Sequence, residues 1–172
     1  MELLKIIKEK EAHPELRDQP DAELKVRKAV RAVIFNNENK VALLHVSKHN
    51  YYKLPGGGIE ETESPEKALR RECQEEAGCD VSIGGEIGEV IEYRNKWDTR
   101  QESQCYFAKV MGELGNQNLQ GYEVDSGFLP VWADIDEAIE LVSKSAPVTY
   151  DGPFIVIRDA LFLKKAKEII KK

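Results

Sequence analysis

The sequence predicts an α/β sandwich folded as one unit, on three observations. Segments with strand-like and helix-like apolar spacing follow one another in mixed order, the pattern that packs helices on a sheet. The 172 residues suit one compact domain around one core. No repeat, low-complexity run or shift in composition marks an internal boundary.

Each element has a local reason. Residues 2–12 carry Leu3, Leu4, Ile6 and Ile7 among lysines and glutamates, and read as a short amphipathic helix. His13-Pro14 and Gln19-Pro20 then punctuate a polar connector, so residues 1–25 form an N-terminal helix and linker. Val26–Phe35 and Val41–Val46 are rich in β-branched residues and flank a turn-like Asn36–Asn39, which predicts a hairpin or two neighbouring strands. Leu54-Pro55-Gly56-Gly57-Gly58 is the sharpest break in the chain. Ser64 then offers an N-cap and Pro65 a first helical position, and Gly78 stops a helix that ends near Ala77. Glu86–Tyr93 and Glu102–Val110 read as strands joined by the polar Arg94–Arg100, and Phe128–Ala133 as a further strand. Asp134–Val142 and Pro153–Ile170 have helical spacing, the latter with Phe154, Ile157, Leu161 and Ile169 as inward positions. Residues 26–150 are thus the core, and 151–172 a C-terminal helix.

Composition narrows the function. A net charge of −6 argues against wrapping a long nucleic acid, which needs clustered lysine and arginine. It leaves phosphate chemistry open, because a bound cation bridges an acidic protein and an anionic ligand. Cys73, Cys79 and Cys105 form no Cys-x-x-Cys pair, so neither a disulfide framework nor a zinc site is expected, and a reducing cytoplasm is the simplest compartment. Met1–Lys10 lacks the long apolar run of a signal peptide or membrane span.

The helix after the glycines carries the most information. At 100° per residue Glu75 and Glu76 lie on either side of Glu72, and all three fall within a ~100° sector. Leu69, Cys73 and Ala77 form a neighbouring apolar stripe that can anchor the helix on a sheet. Like charges this close repel, which Arg70, Arg71 or a hard divalent cation would offset. Magnesium suits the donors: it takes one or two carboxylates, water and substrate phosphate in octahedral geometry.

With those residues in place, the chain resembles the Nudix hydrolase family. Gly57, Glu63, Arg71, Glu72, Glu75, Glu76 and Gly78 occupy the family box at its spacing, across Gly57–Cys79. Cys73 and Cys79 stand where bulky aliphatic residues are usual. Trp132 and the following Asp136-Glu137-Ala138 look like the family's late strand and helix. The resemblance implies an α/β/α sandwich with a mixed β-sheet, spanning residues 1–172 as one domain. It implies an enzyme that hydrolyses a diphosphate linkage in a nucleoside diphosphate derivative or nucleoside triphosphate. Glu72 and Glu76 would be the main metal ligands, with Glu75 in the same cluster and the Gly56 carbonyl in addition. The ion would be Mg2+, with Mn2+ as a substitute. Glu63 and Arg71 would lock the loop to the helix, with Gly57 and Gly78 structural. Glu75 is the first choice of base inside the box, and Glu123 the choice of ligand or base outside it.

Weaker signals surround the box. A ring of Tyr51-Tyr52, directly before the glycines, can stack on a base or pack in the core, and Tyr52 is taken as a substrate contact. Arg94, Lys96 and Arg100 can meet phosphate or solvent, and Arg100 is taken as a second contact. Trp97 sits in a polar loop with ligand, dimer and solvent all open. Cys105 has no basic partner legible in the sequence, so it is not expected to be a nucleophile. Met1–Asp21 and Pro153–Lys172 flank the core and are available for a homodimer contact. The expected partner is a small nucleotide-like molecule, with no membrane. A Nudix-fold sensor that binds without cleaving is the alternative, and the intact set of box acids weighs against it.

Overall fold

The computed structural model describes residues 1–19 and 23–171; Pro20 of the expected connector, Asp21 of the expected dimer segment and Lys172 lie outside them. In chain order the elements are β1 (Leu3–Ile7), α1 (Glu9–Ala12), β2 (Lys25–Phe35), β3 (Val41–Val46), β4 (Tyr51–Lys53), α2 (Pro65–Ala77), β5 (Asp80–Arg94), β6 (Thr99–Met111), α3 (Tyr122–Ser126), β7 (Phe128–Ala133), α4 (Ile135–Ser143) and α5 (Gly152–Ile170). The strands form one mixed sheet in the order β1-β5-β6-β2-β3-β4, with β7 paired to β3. β1 runs parallel to β5, and β2 parallel to β6; the other pairings are antiparallel.

Strand parity divides the core into two layers. Val30, Ala32 and Ile34 of β2 pack with Ala68, Leu69, Cys73 and Ala77 of α2. Val33 and Leu43 join Phe154, Phe162, Leu163 and Val142 of α4 and α5 in a second cluster. Because side chains alternate along a strand, one sheet serves both helix layers, and the result is an α/β/α sandwich. The expected apolar stripe of α2 is buried as read. Ser64 accepts a hydrogen bond from the Lys67 amide at 3.3 Å, and Gly78 closes the helix at φ 64°.

Two expectations change. Residues 2–12 are not one helix: Leu3–Ile7 is the edge strand β1, and only Glu9–Ala12 is helical. The apolar run Leu3, Leu4, Ile6, Ile7 is too short to separate strand from helix by periodicity. The unpaired edge of β5 decides it, with Gly88 leaving room for the Leu4 side chain, which a Cβ there would meet at 2.5 Å. The strands expected at Glu86–Tyr93 and Glu102–Val110 are longer, and β4 and α3 are additional elements within segments read as loop.

The opening that becomes the site is made by β2 and β3. They pair only at Phe35 and Val41 and then diverge. The glycine segment fills the gap along β2: the Val30 amide donates to the Gly57 carbonyl at 2.9 Å, Ala32 to Pro55 at 3.0 Å, and Ile59 to Lys28 at 3.0 Å. Gly56 (φ 131°) must be glycine here, since a Cβ would lie 2.2 Å from the Val30 carbonyl oxygen.

Candidate active site

Glu72 and Glu76 point from α2 toward this glycine segment, and both are buried. A Cβ on Gly57 would fall 2.2 Å from Glu72 Oε1, so the absence of a side chain at 57 is what admits the Glu72 carboxylate. Glu76 is held at both oxygens: the Gly56 amide donates to Oε2 at 2.7 Å, and Lys53 Nζ donates to Oε1 at 2.7 Å. Lys53 also reaches the Gly56 carbonyl at 3.4 Å. Burial raises the pKa of Glu76, opposed by the Lys53 ammonium.

The third member comes from α3, about fifty residues on in the chain. One carboxylate oxygen from each of Glu72, Glu76 and Glu123 lies within 4.8 Å of the others. Oxygen donors sharing one small divalent ion lie about 4–5 Å apart when opposite, so this set fits such an ion. Hard oxygen donors suit magnesium or manganese rather than a soft metal.

Glu75, expected in the same cluster, stands apart from it. It projects on the other side of Glu72 from Glu76, and Arg71 Nη1 donates to it at 3.2 Å. Arg71 is a hub. Its Nε and Nη2 donate to the two Glu63 oxygens at 3.0 and 2.9 Å, Nη1 donates to Glu72 at 2.8 Å, and Nη2 to the Gly58 carbonyl at 3.1 Å. One planar guanidinium thus ties the loop to the helix and aims Glu72. Those hydrogen bonds hold Glu63 below the usual carboxylate range.

Cations share this space with the carboxylates. A cavity of about 260 Å³ is lined by Glu72, Glu76, Glu123 and Asp151 together with Lys53, Arg27, Arg31, Arg94 and Arg158. Arg158 is fully buried on α5; its Nε donates to Asp159 at 2.7 Å and its Nη1 to Glu92 at 3.3 Å. Asp159 in turn accepts from the Leu54 amide at 2.8 Å, which fixes the start of the glycine segment to α5. Arg94 Nη2 and Gln101 Nε2 share Glu92 Oε2 at 2.9 and 2.7 Å.

Tyr52 and Arg100, expected as substrate contacts, do not line this cavity. Both corrections follow from parity. Tyr51 and Lys53 face the site, so Tyr52 faces the opposite side and stacks on His45 with ring centroids 4.5 Å apart. Gln101 faces the site, so its neighbour Arg100 turns away and pairs with Glu102 at 2.8 Å. Trp97 lies on a 3-10 turn, and its indole N–H donates to Asp151 at 2.9 Å. The three cysteines are buried and free. Burial raises their thiol pKa values, Cys79 to about 11, which keeps them protonated.

Arg27, Arg31 and Arg158 are the site residues the sequence reading passed over. Arg158-Asp159 left a signal: a charged pair interrupts the otherwise apolar run Phe154–Leu163. A charged pair at an inward position needs a buried partner.

A three-layer sandwich that sets helix carboxylates behind a glycine segment suits the binding of a divalent ion beside an anionic ligand. The NUDIX domain model matches residues 25–151, and the chain belongs to the Nudix hydrolase family. An RNA pyrophosphohydrolase of Sulfurovum sp. is 36% identical over 102 residues, which span 55% of this chain and 65% of that protein. Diphosphoinositol polyphosphate phosphohydrolase 3-alpha of Mus musculus is 29% identical over 127 residues, 71% of this chain and 73% of that one. Among solved structures, the MutT protein from Methanosarcina mazei aligns with a TM-score of 0.59 at 18% identity, covering 86% of this chain and 97% of that one. The NUDIX domain of Shewanella oneidensis NrtR, complexed with ADP ribose, also gives 0.59, at 20% identity over 88% and 93% of the two chains. These last two likenesses speak for the fold. No helix among the described residues is long and apolar enough to cross a membrane.

Proposed function

We propose that this chain is a magnesium-dependent hydrolase that cleaves the diphosphate linkage of a nucleoside triphosphate or another nucleoside diphosphate derivative. The observation that carries the reading is the gathering of Glu72, Glu76 and Glu123 oxygens within 4.8 Å, in a small cavity that four arginines also line. Glu72, Glu76 and the Gly56 carbonyl would hold the ion, with manganese as an alternative. Bound there, a divalent ion neutralises phosphate oxygens and lowers the pKa of an attacking water.

The protein's own groups supply the rest. Lys53 and Arg27, which line the same cavity, hold the diphosphate oxygens and stabilise the charge that builds on the leaving phosphate. Glu123 faces the same space from outside the box and takes the proton of the attacking water. Arg71 and Glu63 keep Glu72 aimed. The relatives' names, an RNA pyrophosphohydrolase and a diphosphoinositol polyphosphate phosphohydrolase, support the reaction class. The reading places the protein in the cytoplasm, where nucleotides and reduced cysteines are found together.

A panel of nucleoside triphosphates and nucleotide sugars assayed with magnesium tests this, with Glu76→Gln as control. Wild type is expected to release diphosphate, phosphate or a monophosphate. The variant should lose more activity than the ~10–100-fold that removing a mere supporting residue costs. Equal turnover by the two proteins would overturn the ligand assignment.

A further inference from the structure

Three guanidiniums in the cavity have more donors than the protein has acceptors for. Arg31 Nε, Arg94 Nε and Arg158 Nη2 are buried and have no hydrogen-bond partner among the described residues. All three side chains line the cavity that holds the carboxylates. Arg94 and Arg158 stand side by side, because Glu92 accepts from both, at 2.9 and 3.3 Å. Arg31 adjoins them: it donates to the Val30 and Gly57 carbonyls at 2.6 and 3.2 Å, neither of which neutralises it. Burial, with the Arg158 charge added, lowers the Arg31 pKa to about 10, so it remains charged at neutral pH while no carboxylate among the described residues pairs with it directly. Burying a cation without a counter-charge is costly, and leaving its N–H groups unpaired adds to that cost. Such a cluster persists where an anion completes it.

The cavity also says what it does not recognise. Its lining includes Tyr51, Tyr122 and Phe128 but is otherwise dominated by charged groups and glycines. Phe128 already lies under the Lys53 ammonium at 4.8 Å, and Tyr122 packs on His49 and Phe128. Planar guanidinium forks, by contrast, match the oxygens of a phosphate.

We infer that Arg31, Arg94 and Arg158 form a subsite for a dianionic phosphate group that is not itself attacked, so that the preferred substrate carries a terminal phosphate beyond the linkage being cleaved. This rests on the hydrolase reading above and deepens it. A nucleoside triphosphate or another polyphosphorylated small molecule has such a group. A nucleotide sugar or ADP-ribose has none, because both phosphates of its linkage are esterified on their far sides.

The test is binding of inorganic phosphate by calorimetry, with and without magnesium, to wild type, Arg94→Gln and Arg158→Gln. Wild type should bind phosphate under both conditions, and each variant should bind about 10- to 100-fold more weakly, the loss expected for one or two charge-assisted hydrogen bonds. Arg158 is fully buried, so if Arg158→Gln fails to fold, Arg94→Gln, at a residue that keeps some exposure, decides alone. Phosphate affinity unchanged in a folded Arg94→Gln, or binding by wild type only when magnesium is present, would overturn the inference. Turnover is not needed for this measurement. A protein that binds phosphate through these arginines but hydrolyses nothing contradicts the functional reading alone, and a hydrolase whose phosphate affinity ignores them contradicts this inference alone.

Discussion

Glu123 and Glu75 exchange expectations once their neighbours are known. Both are glutamates near the glycine segment, and the family resemblance favours Glu75 because it sits inside the box. The structure gives Glu75 to Arg71 and brings Glu123 into the oxygen cluster. If Glu123 is the base, Glu123→Gln should lower kcat by roughly 10²–10⁴-fold while manganese affinity changes by less than about threefold. A parallel collapse of metal affinity would make it a ligand instead. Sequence spacing located Glu72 and Glu76 because both lie on one helix, where 100° per residue fixes their relation. It had no such rule for a glutamate about fifty residues away on a five-residue helix, whose position depends on the path of the long segment before it.

At the level of elements, what the sequence conveyed depended on length. The α2 helix was legible in full, since its cap, its apolar stripe and its terminating glycine each have a local cause. The three-residue strand β4 was not, and the error at Tyr52 follows from that. Its pairing with β3 places Tyr51 opposite Val46 and Lys53 opposite Leu44, which sends Tyr52 to the other face. A strand that short has no periodicity of its own from which to read parity. β6 repeats the lesson: Arg27 of β2 lies beside Gln101, and Val26 beside Arg100, so one step in register separates a cavity residue from an outward one. The loop-to-helix lock is an element-level device with a pH signature. Arg71 holds the Glu63 carboxyl below its usual range. A lowered folded pKa means the stabilisation is complete above the unfolded value, about 4.3, and is lost as pH falls through the folded one. At pH 7 Glu63→Gln should therefore unfold about 2–4 °C lower than wild type, the shift that ~1 kcal/mol produces in a chain of this size. The gap should hold down to about pH 5 and narrow as pH falls from there through the folded pKa. A gap still unchanged at about pH 3 would mean the ion pair contributes nothing and the lock is steric.

For the molecule as a whole, the sheet is what joins two charge systems of opposite sign. The α2 layer supplies Glu72 and Glu76, the α5 layer supplies Arg158 and Asp159, and the gap where β2 leaves β3 lets them meet. The sandwich and the places of most strands along the chain were legible because they depend on the 2.0 and 3.6 periodicities. The arginine wall was not, because Arg27, Arg31, Arg94 and Arg158 come from three elements far apart in the chain and converge only through register and layer packing. The same convergence lets a chain with a net charge of −6 offer cations to phosphate, since Lys53 and these four arginines line one cavity. The most direct measurement of the central claim is manganese binding, followed by electron paramagnetic resonance, in wild type, Glu72→Gln and Glu76→Gln. Wild type should bind the ion, and each substitution should weaken it by about a hundredfold. Manganese affinity that is the same in all three proteins would contradict the account.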